Sequence, residues 1–206
     1  MPLLYTKNTP TGMLGVWDIR ESVSILEKMY APKSAELKKY QSIITTAKKQ
    51  QWLAVRVLME LLDKDASISY DNYNRPLLDR SANHISISHT NRYAAVLIDS
   101  ENPAGIDIEK VSDKVVNISG KFMSSEEMNS ISDQDKLSHL TLFWCAKEAV
   151  YKLHGKKELL FKEHIKVQPF EYGQNGNINV HLINDITDKF YKSSCVIGCN
   201  ATGHIA

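Results

Sequence analysis

Residues 84–98 set the first boundary on the architecture. His84–Ser88 alternates apolar and small polar side chains, the pattern of a half-buried strand. Tyr93–Ile98 is a strongly apolar run, and Thr90-Asn91-Arg92 between the two reads as a turn. Together they form a hairpin, which needs further strands or a helix against its apolar face to be stable in water. The sequence supplies both. Leu14–Ile19 reads as a short strand. Glu21–Tyr30 and Ala35–Leu62 read as helices, the second breaking in two, with Trp52, Val55, Leu58, Met59 and Leu62 at helical spacing as a core stripe. Asn74-Arg75-Pro76 is a turn or an extended segment, because proline disfavours helix before itself. After Pro103-Ala104 come a strand at Gly105–Glu109, helices near Val115–Met123, Glu126–Ile131 and Leu137–His154, and strands at Ile178–Ile183 and Tyr191–Ile197. The pattern predicts an α+β fold that divides near residue 100.

Composition narrows the class. The chain has 206 residues, enough for one large domain or two small ones. Its formal net charge is +1, so the whole molecule carries no electrostatic bias toward nucleic acid or membrane. Charge is nonetheless segregated: between Lys28 and Arg56 there are seven basic residues and one acid, Glu36, and all five arginines lie in the first half. The three cysteines, Cys145, Cys195 and Cys199, form no disulfide framework, and no zinc-type spacing surrounds Cys195 and Cys199. Cys145 falls within a helical pattern and is expected in the core. Without a leader pattern or a long apolar run, the expectation is a cytoplasmic protein.

Two segments carry chemistry. The first is Gly105-Ile106-Asp107-Ile108-Glu109. Successive strand side chains point to opposite faces, so Asp107 and Glu109 share one face and the two isoleucines the other. Carboxylates this close repel each other, so either one is held protonated or a cation lies between them; hard oxygen ligands favour magnesium. The segment alone fits the solvated face of an edge strand equally well.

The second segment is Trp144-Cys-Ala-Lys-Glu-Ala-Val-Tyr-Lys152. At helical spacing Trp144, Glu148 and Lys152 form one stripe, while Phe143, Ala146 and Val150 can face the core. Lys147 is rotated about 100° from Glu148, which directs it toward solvent or a partner. Alone, the segment is an amphipathic helix with a Glu148–Lys152 ion pair worth a few tenths of a kcal/mol. Beside the acidic strand it offers a third oxygen ligand and two ammonium groups suited to phosphate.

These residues resemble the 4′-phosphopantetheinyl transferases of the Sfp type. Their signature is a G-I-D-[IV]-E strand followed, after roughly forty residues, by W-x-x-K-E-[AS]-x-x-K, and both halves match at each defining position. Ile87-Ser88-His89-Thr90 is similar to the family's N-[IV]-S-H-[ST] motif, with Ile85-Ser86 departing at its start. Arg75-Pro76 is similar to an upstream [GN]-[KR]-P element, and Met123–Glu127 to an F-[FS]-[ST]-x-x-E element. The coverage runs from about residue 75 to 152. Around Lys39–Arg56 the chain departs, with Gln50-Gln51-Trp52 where the family often carries an arginine, and Lys48 and Lys49 as its substitutes.

The resemblance implies a pseudo-dimer of two similar α+β halves, with the active site in the cleft between them. The N-terminal half, 1–100, would contact coenzyme A phosphates and adenine; the C-terminal half, 101–206, would hold magnesium and the catalytic residues. The implied reaction moves the 4′-phosphopantetheine arm of coenzyme A to a serine of an apo acyl or peptidyl carrier protein, releasing adenosine 3′,5′-bisphosphate. Asp107, Glu109 and Glu148 would bind Mg2+. Lys152 would contact the pyrophosphate, and Glu148 is the first choice for general base, with Glu127 the alternative. Ser88, His89, Arg75 and, more loosely, Lys39 would hold coenzyme A. His84 is read as structural. The expected partners are coenzyme A and a carrier protein. The mid-chain position of the acidic strand favours a monomer over the shorter, trimeric holo-acyl-carrier-protein synthase type. No Gly-x-x-x-x-Gly-Lys-[Ser/Thr] loop supports a P-loop phosphotransferase.

Overall fold

The structure is a computed structural model that describes residues 3–64, 66–79, 81–155, 159–173, 175–198 and 201–205. Cys199 and the side chain of Cys195 lie outside the described residues. The chain forms two compact units of mixed α and β structure, Met1–Asp71 with Pro76–Asn102, and Asn72–Arg75 with Pro103–Ala206.

The first unit contains strands β1 (Leu3–Asn8), β2 (Gly12–Asp18), β3 (Ser67–Tyr70), β4 (Pro76–Asp79), β5 (His84–His89) and β6 (Tyr93–Asp99), with helices α1 (Val23–Met29), α2 (Ser34–Gln41) and α3 (Thr46–Leu62). Its main sheet is antiparallel, in the order β1-β2-β6-β5. The expected hairpin is β5 and β6, paired from His84 with Asp99 to His89 with Ala94. The apolar run makes β6 an inner strand, buried from Tyr93 to Ile98. Helix α3 covers β2 and β6. The long helix expected over 35–62 is broken, because the Thr45 side chain accepts from the Lys48 amide and starts α3 afresh. The core of α3 is wider than a stripe: Leu53, Ala54 and Val57 are buried with Trp52, Val55, Leu58 and Met59. The Arg56 guanidinium is buried too, 3.6 Å over the Trp52 ring and bonded to Glu36 at 2.9 Å.

The second unit contains β7 (Ile106–Glu109), α4 (Lys114–Phe122), α5 (Ser125–Asn129), α6 (Lys136–His154), α7 (Phe161–His164), β8 (Ile165–Val167), β9 (Asn175–Ile183), β10 (Asp188–Gly198) and β11 (Ala201–Ile205). The sheet is antiparallel, in the order β7-β11-β10-β9-β8, and α6 packs across it. Phe122, Leu140, Phe143, Ala146 and Val150 meet Ile165, Ile178, Val180 and Leu182 in its core. Helix α5 begins with a capping box, in which Ser124 and Glu127 bond each other's backbone amides. Helix α6 ends at Gly155, whose φ of 68° lies in the left-handed region that glycine adopts without a Cβ penalty.

The sequence pattern did not reveal β1, β3, β4 and β11. Each is short or lacks strict alternation, and the tertiary pairing of its backbone decides its conformation. No described helix is long and apolar enough to cross a membrane.

Candidate active site

The first strand and the main helix of the second unit touch where the two signature segments lie. Their approach depends on Gly105. A Cβ on that residue would fall 2.1 Å from the Ala149 carbonyl oxygen of α6 and 2.9 Å from the Leu153 Cβ. No side chain fits there, so the glycine before β7 allows the acidic strand to lie directly against the helix. The isoleucines then enter the core, with Ile106 and Ile108 both buried. Asp107 is also buried at 4% exposure, deeper than the solvated strand face of the simple reading, while Glu109 is half-buried.

One turn of α6 answers this strand. The Lys152 ammonium donates to Asp107 Oδ1 at 2.7 Å and to the Ile106 carbonyl at 3.0 Å. Glu148, on the preceding turn, feels both strand carboxylates. Burial first, then the Asp107 charge and, against the opposing pull of Lys152, the Glu109 charge, push its carboxyl up to about 7. Burial and the Asp107 charge also raise Glu109, opposed by a side-chain hydrogen bond from Trp144. The Trp144 indole is a donor only, so it holds Glu109 as an acceptor. The Trp144 ring stacks on Phe161 at 5.6 Å and meets Phe122 edge-on at 5.1 Å. Beneath Asp107, burial pushes the Cys145 thiol up; Cys145 is the core residue expected, and it hydrogen-bonds Asp107.

These residues match a hard divalent cation in kind. They are three carboxylates, all oxygen donors, and two of them are held above their ordinary range partly by mutual repulsion. A cation among them would relieve that repulsion. Among the described residues, no three His, Cys, Asp or Glu side chains are gathered tightly enough to ligate an ion, and the ammonium of Lys152 is the cation seen at Asp107.

Two expectations are corrected. Lys147 faces neither solvent nor a partner. It is fully buried, and its ammonium donates to the Phe122 carbonyl at 2.7 Å, the Phe161 carbonyl at 3.1 Å and Glu127 Oε2 at 2.9 Å. The 100° rotation from Glu148 is as expected, but on that side the Lys147 ammonium meets the backbone of Phe122 in α4 and of Phe161 in α7. Glu127, the alternative base, is the other half of this pair and is 3% exposed. Its two oxygens also accept the backbone amides of Ser124 at 2.7 Å and Val167 at 2.9 Å. A carboxylate so fully engaged is suited to architecture, and nothing leaves it open to take a proton from a substrate.

The remaining expected ligands lie on other segments of the chain. Arg75 belongs to the second unit, where its side chain lies across the C-terminal end of α6; a Cβ on Gly155 would fall 2.5 Å from its Cδ. Ser88 and His89 end strand β5 of the first unit, Ser88 buried and His89 exposed. Lys39 is exposed on α2, with its ammonium 3.6 Å over the Tyr70 ring. His84, read as structural, begins β5 opposite Asp99 and helps lower that carboxyl, which is held down by hydrogen bonds from Thr11 and two backbone amides against the effect of burial. The sequence reading assigned no role to Gly105 or to the indole N–H of Trp144; glycine immediately before an acidic strand was the signal available for the first.

The similarity to known proteins takes in both signature segments. Residues 103–199 match the model of the 4′-phosphopantetheinyl transferase superfamily. Among curated proteins, the 4′-phosphopantetheinyl transferase Sfp of Bacillus subtilis (strain 168) is 33% identical over 126 residues, 59% of this chain and 54% of the relative. The 4′-phosphopantetheinyl transferase ffp of Bacillus subtilis is 28% identical over 138 residues, 65% and 60% of the two chains. The 4′-phosphopantetheinyl transferase gsp of Aneurinibacillus migulanus is 27% identical over 133 residues, 61% and 55%. The matched region thus spans little more than half the length of these relatives. The paired motifs, the matched region and the relatives converge on one similarity, to the 4′-phosphopantetheinyl transferases of the Sfp type.

Proposed function

We propose that this protein transfers the 4′-phosphopantetheine moiety of coenzyme A to a serine of an apo acyl or peptidyl carrier protein, releasing adenosine 3′,5′-bisphosphate. The observation that carries the proposal is the meeting of Asp107, Glu109, Glu148 and Lys152 where β7 crosses α6. The reaction breaks a pyrophosphate bond, and catalysis of such transfers rests on positioning and on neutralising phosphate charge.

In this reading Asp107, Glu109 and Glu148 hold Mg2+, which when bound neutralises charge on the pyrophosphate. Lys152 supplies an ammonium to a phosphate oxygen as the bond breaks. The serine hydroxyl of the carrier is a weak nucleophile until its proton is removed. Glu148, on the turn of α6 that faces the acidic strand, is the group in this reading that takes that proton. Arg75, with its planar fork, holds the 3′-phosphate or the adenine region of coenzyme A. Ser88 and His89 contribute further phosphate contacts, and Lys39 is the weakest of these candidates. The reading also carries the pseudo-dimeric fold, an enzyme acting as a monomer, and a cytoplasmic location.

The test is to incubate the protein with coenzyme A, Mg2+ and a panel of apo carrier proteins and weigh the carriers by mass spectrometry. The expected result is a gain of one phosphopantetheine on at least one carrier. No gain on any carrier would overturn the proposal. Gel filtration at the mass of a trimer would overturn the monomeric assignment.

A further inference from the structure

Asp18 is a buried carboxylate that carries two arginines where one would neutralise it. It ends β2, and its side chain is 4% exposed, against 71% for Arg20 and 54% for Arg92. Arg92 is bidentate, with Nε 3.0 Å from Oδ1 and Nη2 3.3 Å from Oδ2. Arg20 reaches Oδ2 through Nε at 2.7 Å and Nη2 at 2.6 Å. The Arg92 bond above all holds the Asp18 carboxyl below its ordinary range, against the effect of burial. The carboxylate is therefore ionised, and the trio keeps one positive charge in excess. Glu21, the next acid in sequence, has its Oε2 turned to the Trp17 indole and the Arg20 amide, both at 3.2 Å. Two guanidinium groups that meet at one oxygen repel each other, and an anion between them would relieve that repulsion. Among the described residues, neither Nη1 has an acceptor.

The backbone under both arginines is pinned. The Arg92 carbonyl accepts the Ile19 amide at 2.6 Å, immediately before Arg20. The Thr90 hydroxyl accepts the amides of Arg92 at 3.1 Å and Tyr93 at 3.0 Å. From α3, Gln51 donates to the Thr90 carbonyl and to Asn91 Oδ1, each at 3.1 Å, and Gln50 donates to the Glu21 carbonyl at 2.7 Å. Forks held this way lose little freedom when they bind a ligand. The strand register adds a direction. Asp18 lies opposite Tyr93, and Ser88 lies opposite Ala95, so Asp18 and Ser88 share one face of the sheet. It is the face away from α3, because Trp17, Ala94 and Val96 of the other face enter the core with that helix. Ser88 is one of the phosphate contacts in the reading given above.

Paired forks select the kind of anion. A phosphomonoester offers three free oxygens and nearly two negative charges at neutral pH, enough to face two guanidinium groups at once. Each phosphate within a pyrophosphate offers two free oxygens and a single charge. Coenzyme A carries one phosphomonoester, at its 3′ position. We propose that Arg20 and Arg92, mounted on Asp18, bind the 3′-phosphate of coenzyme A. The proposal rests on the transferase reading and deepens its coenzyme A part, leaving Arg75 to the adenine region. Asp18 is a positioning residue: it aligns both forks and touches no phosphate.

The experiment compares coenzyme A with 3′-dephospho-coenzyme A by isothermal titration calorimetry, with Mg2+ present, on wild type, Arg20→Gln, Arg92→Gln and Arg75→Gln. Thermal melting checks folding. Wild type should bind coenzyme A at least about tenfold tighter than the dephospho form. Arg20→Gln and Arg92→Gln should each lose most of that preference while keeping wild-type affinity for the dephospho form. Should Arg92→Gln fail to fold, Arg20→Gln decides, since it leaves Asp18 its bidentate partner. A wild type without the preference, variants that retain it, or equal weakening toward both forms overturns the proposal. So does a preference lost only in Arg75→Gln. A raised KM for the carrier protein with unchanged coenzyme A binding overturns it too, and would give the arginines to acidic groups of the carrier. Wild type that binds neither form takes the coenzyme A reading down with this proposal, whereas binding with unaltered preference in both variants removes this proposal alone.

Discussion

Lys147 and Glu127 form an ion pair closed off from solvent, with Nζ 2.8 Å from Oε1 and side-chain exposures of 0% and 4%. The pair ties α6 to the cap of α5 and, through the Val167 amide, to β8. Breaking a buried pair from one side strands the other charge, at about 3–5 kcal/mol. The two sides are unequal. Lys147→Met leaves Glu127 with two backbone donors, whereas Glu127→Leu strands the ammonium and also leaves the Ser124 and Val167 amides without their acceptor. Glu127→Leu is therefore expected to lose more stability than Lys147→Met in urea denaturation. Glu127→Gln keeps an acceptor oxygen and should lose less than either, with transfer reduced only as far as folding is. A Glu127→Gln variant that folds like wild type and transfers nothing would return Glu127 to the chemistry.

Gly105 tests the strand–helix contact directly. Gly105→Ala puts a methyl 2.1 Å from the Ala149 carbonyl oxygen, and the backbone on both sides must move apart. Overpacking of this kind costs about 1–3 kcal/mol. The separation would also carry Asp107 away from Lys152, so transfer should fall by more than the stability loss explains. Denaturation midpoint and kcat, measured together below the melting transition, check this. Wild-type kcat in a folded Gly105→Ala protein would show that the spacing of β7 and α6 is not critical.

Much of this was legible in the residues. The apolar run 93–98 dictated an inner strand, and Trp52, Val55, Leu58 and Met59 dictated a core helix, because burial follows periodicity closely when the run is long. The Asp107–Glu109 face and the Glu148–Lys152 stripe could be read from the two side-chain periods, 2 and 3.6. Lys147 could not. Periodicity gives the angle of a residue around its helix but not what covers that angle, and α6 is covered beyond its apolar stripe. Glu127 was misread for a related reason: a Ser-x-x-Glu capping box and a catalytic carboxylate look alike until the partners of the oxygens are known. The pairing of Lys152 with Asp107 joins residues 45 apart in sequence, a relationship that no local pattern encodes.

Trp144 has two tasks that one substitution separates. Trp144→Phe can keep the aromatic contact with Phe161 but removes the indole N–H that Glu109 accepts. That hydrogen bond favours the ionised carboxyl, so its loss should raise Glu109 further, and a 13C-detected titration of the Glu109 carboxyl would read the change. The stability loss should be about 1–2 kcal/mol, from one hydrogen bond and a smaller ring. An unchanged Glu109 titration would show that Trp144 serves packing alone.

Glu148 gives the protein a pH dependence whose sign is fixed by its surroundings. Its carboxyl is raised from an ordinary 4.5 to about 7, so folding favours the protonated form. The stability this contributes is fully present below the unfolded value of 4.5 and is lost as pH rises through about 7. Without divalent ions, wild type should therefore lose on the order of 2 kcal/mol from this group between pH 4.5 and pH 8. Glu148→Gln cannot ionise there and escapes the loss. Its melting temperature should match wild type near pH 4.5 and exceed it at pH 8, in the presence of a chelator. Saturating Mg2+ should reverse the order at pH 8, since a cation that compensates the carboxylates stabilises wild type by mass action and binds the variant less well. Thermal melts at two pH values, with and without Mg2+, decide it. Coincident melting of the two proteins at pH 8 in chelator would mean that Glu148 ionises at no cost and that its carboxyl is not raised in the metal-free protein.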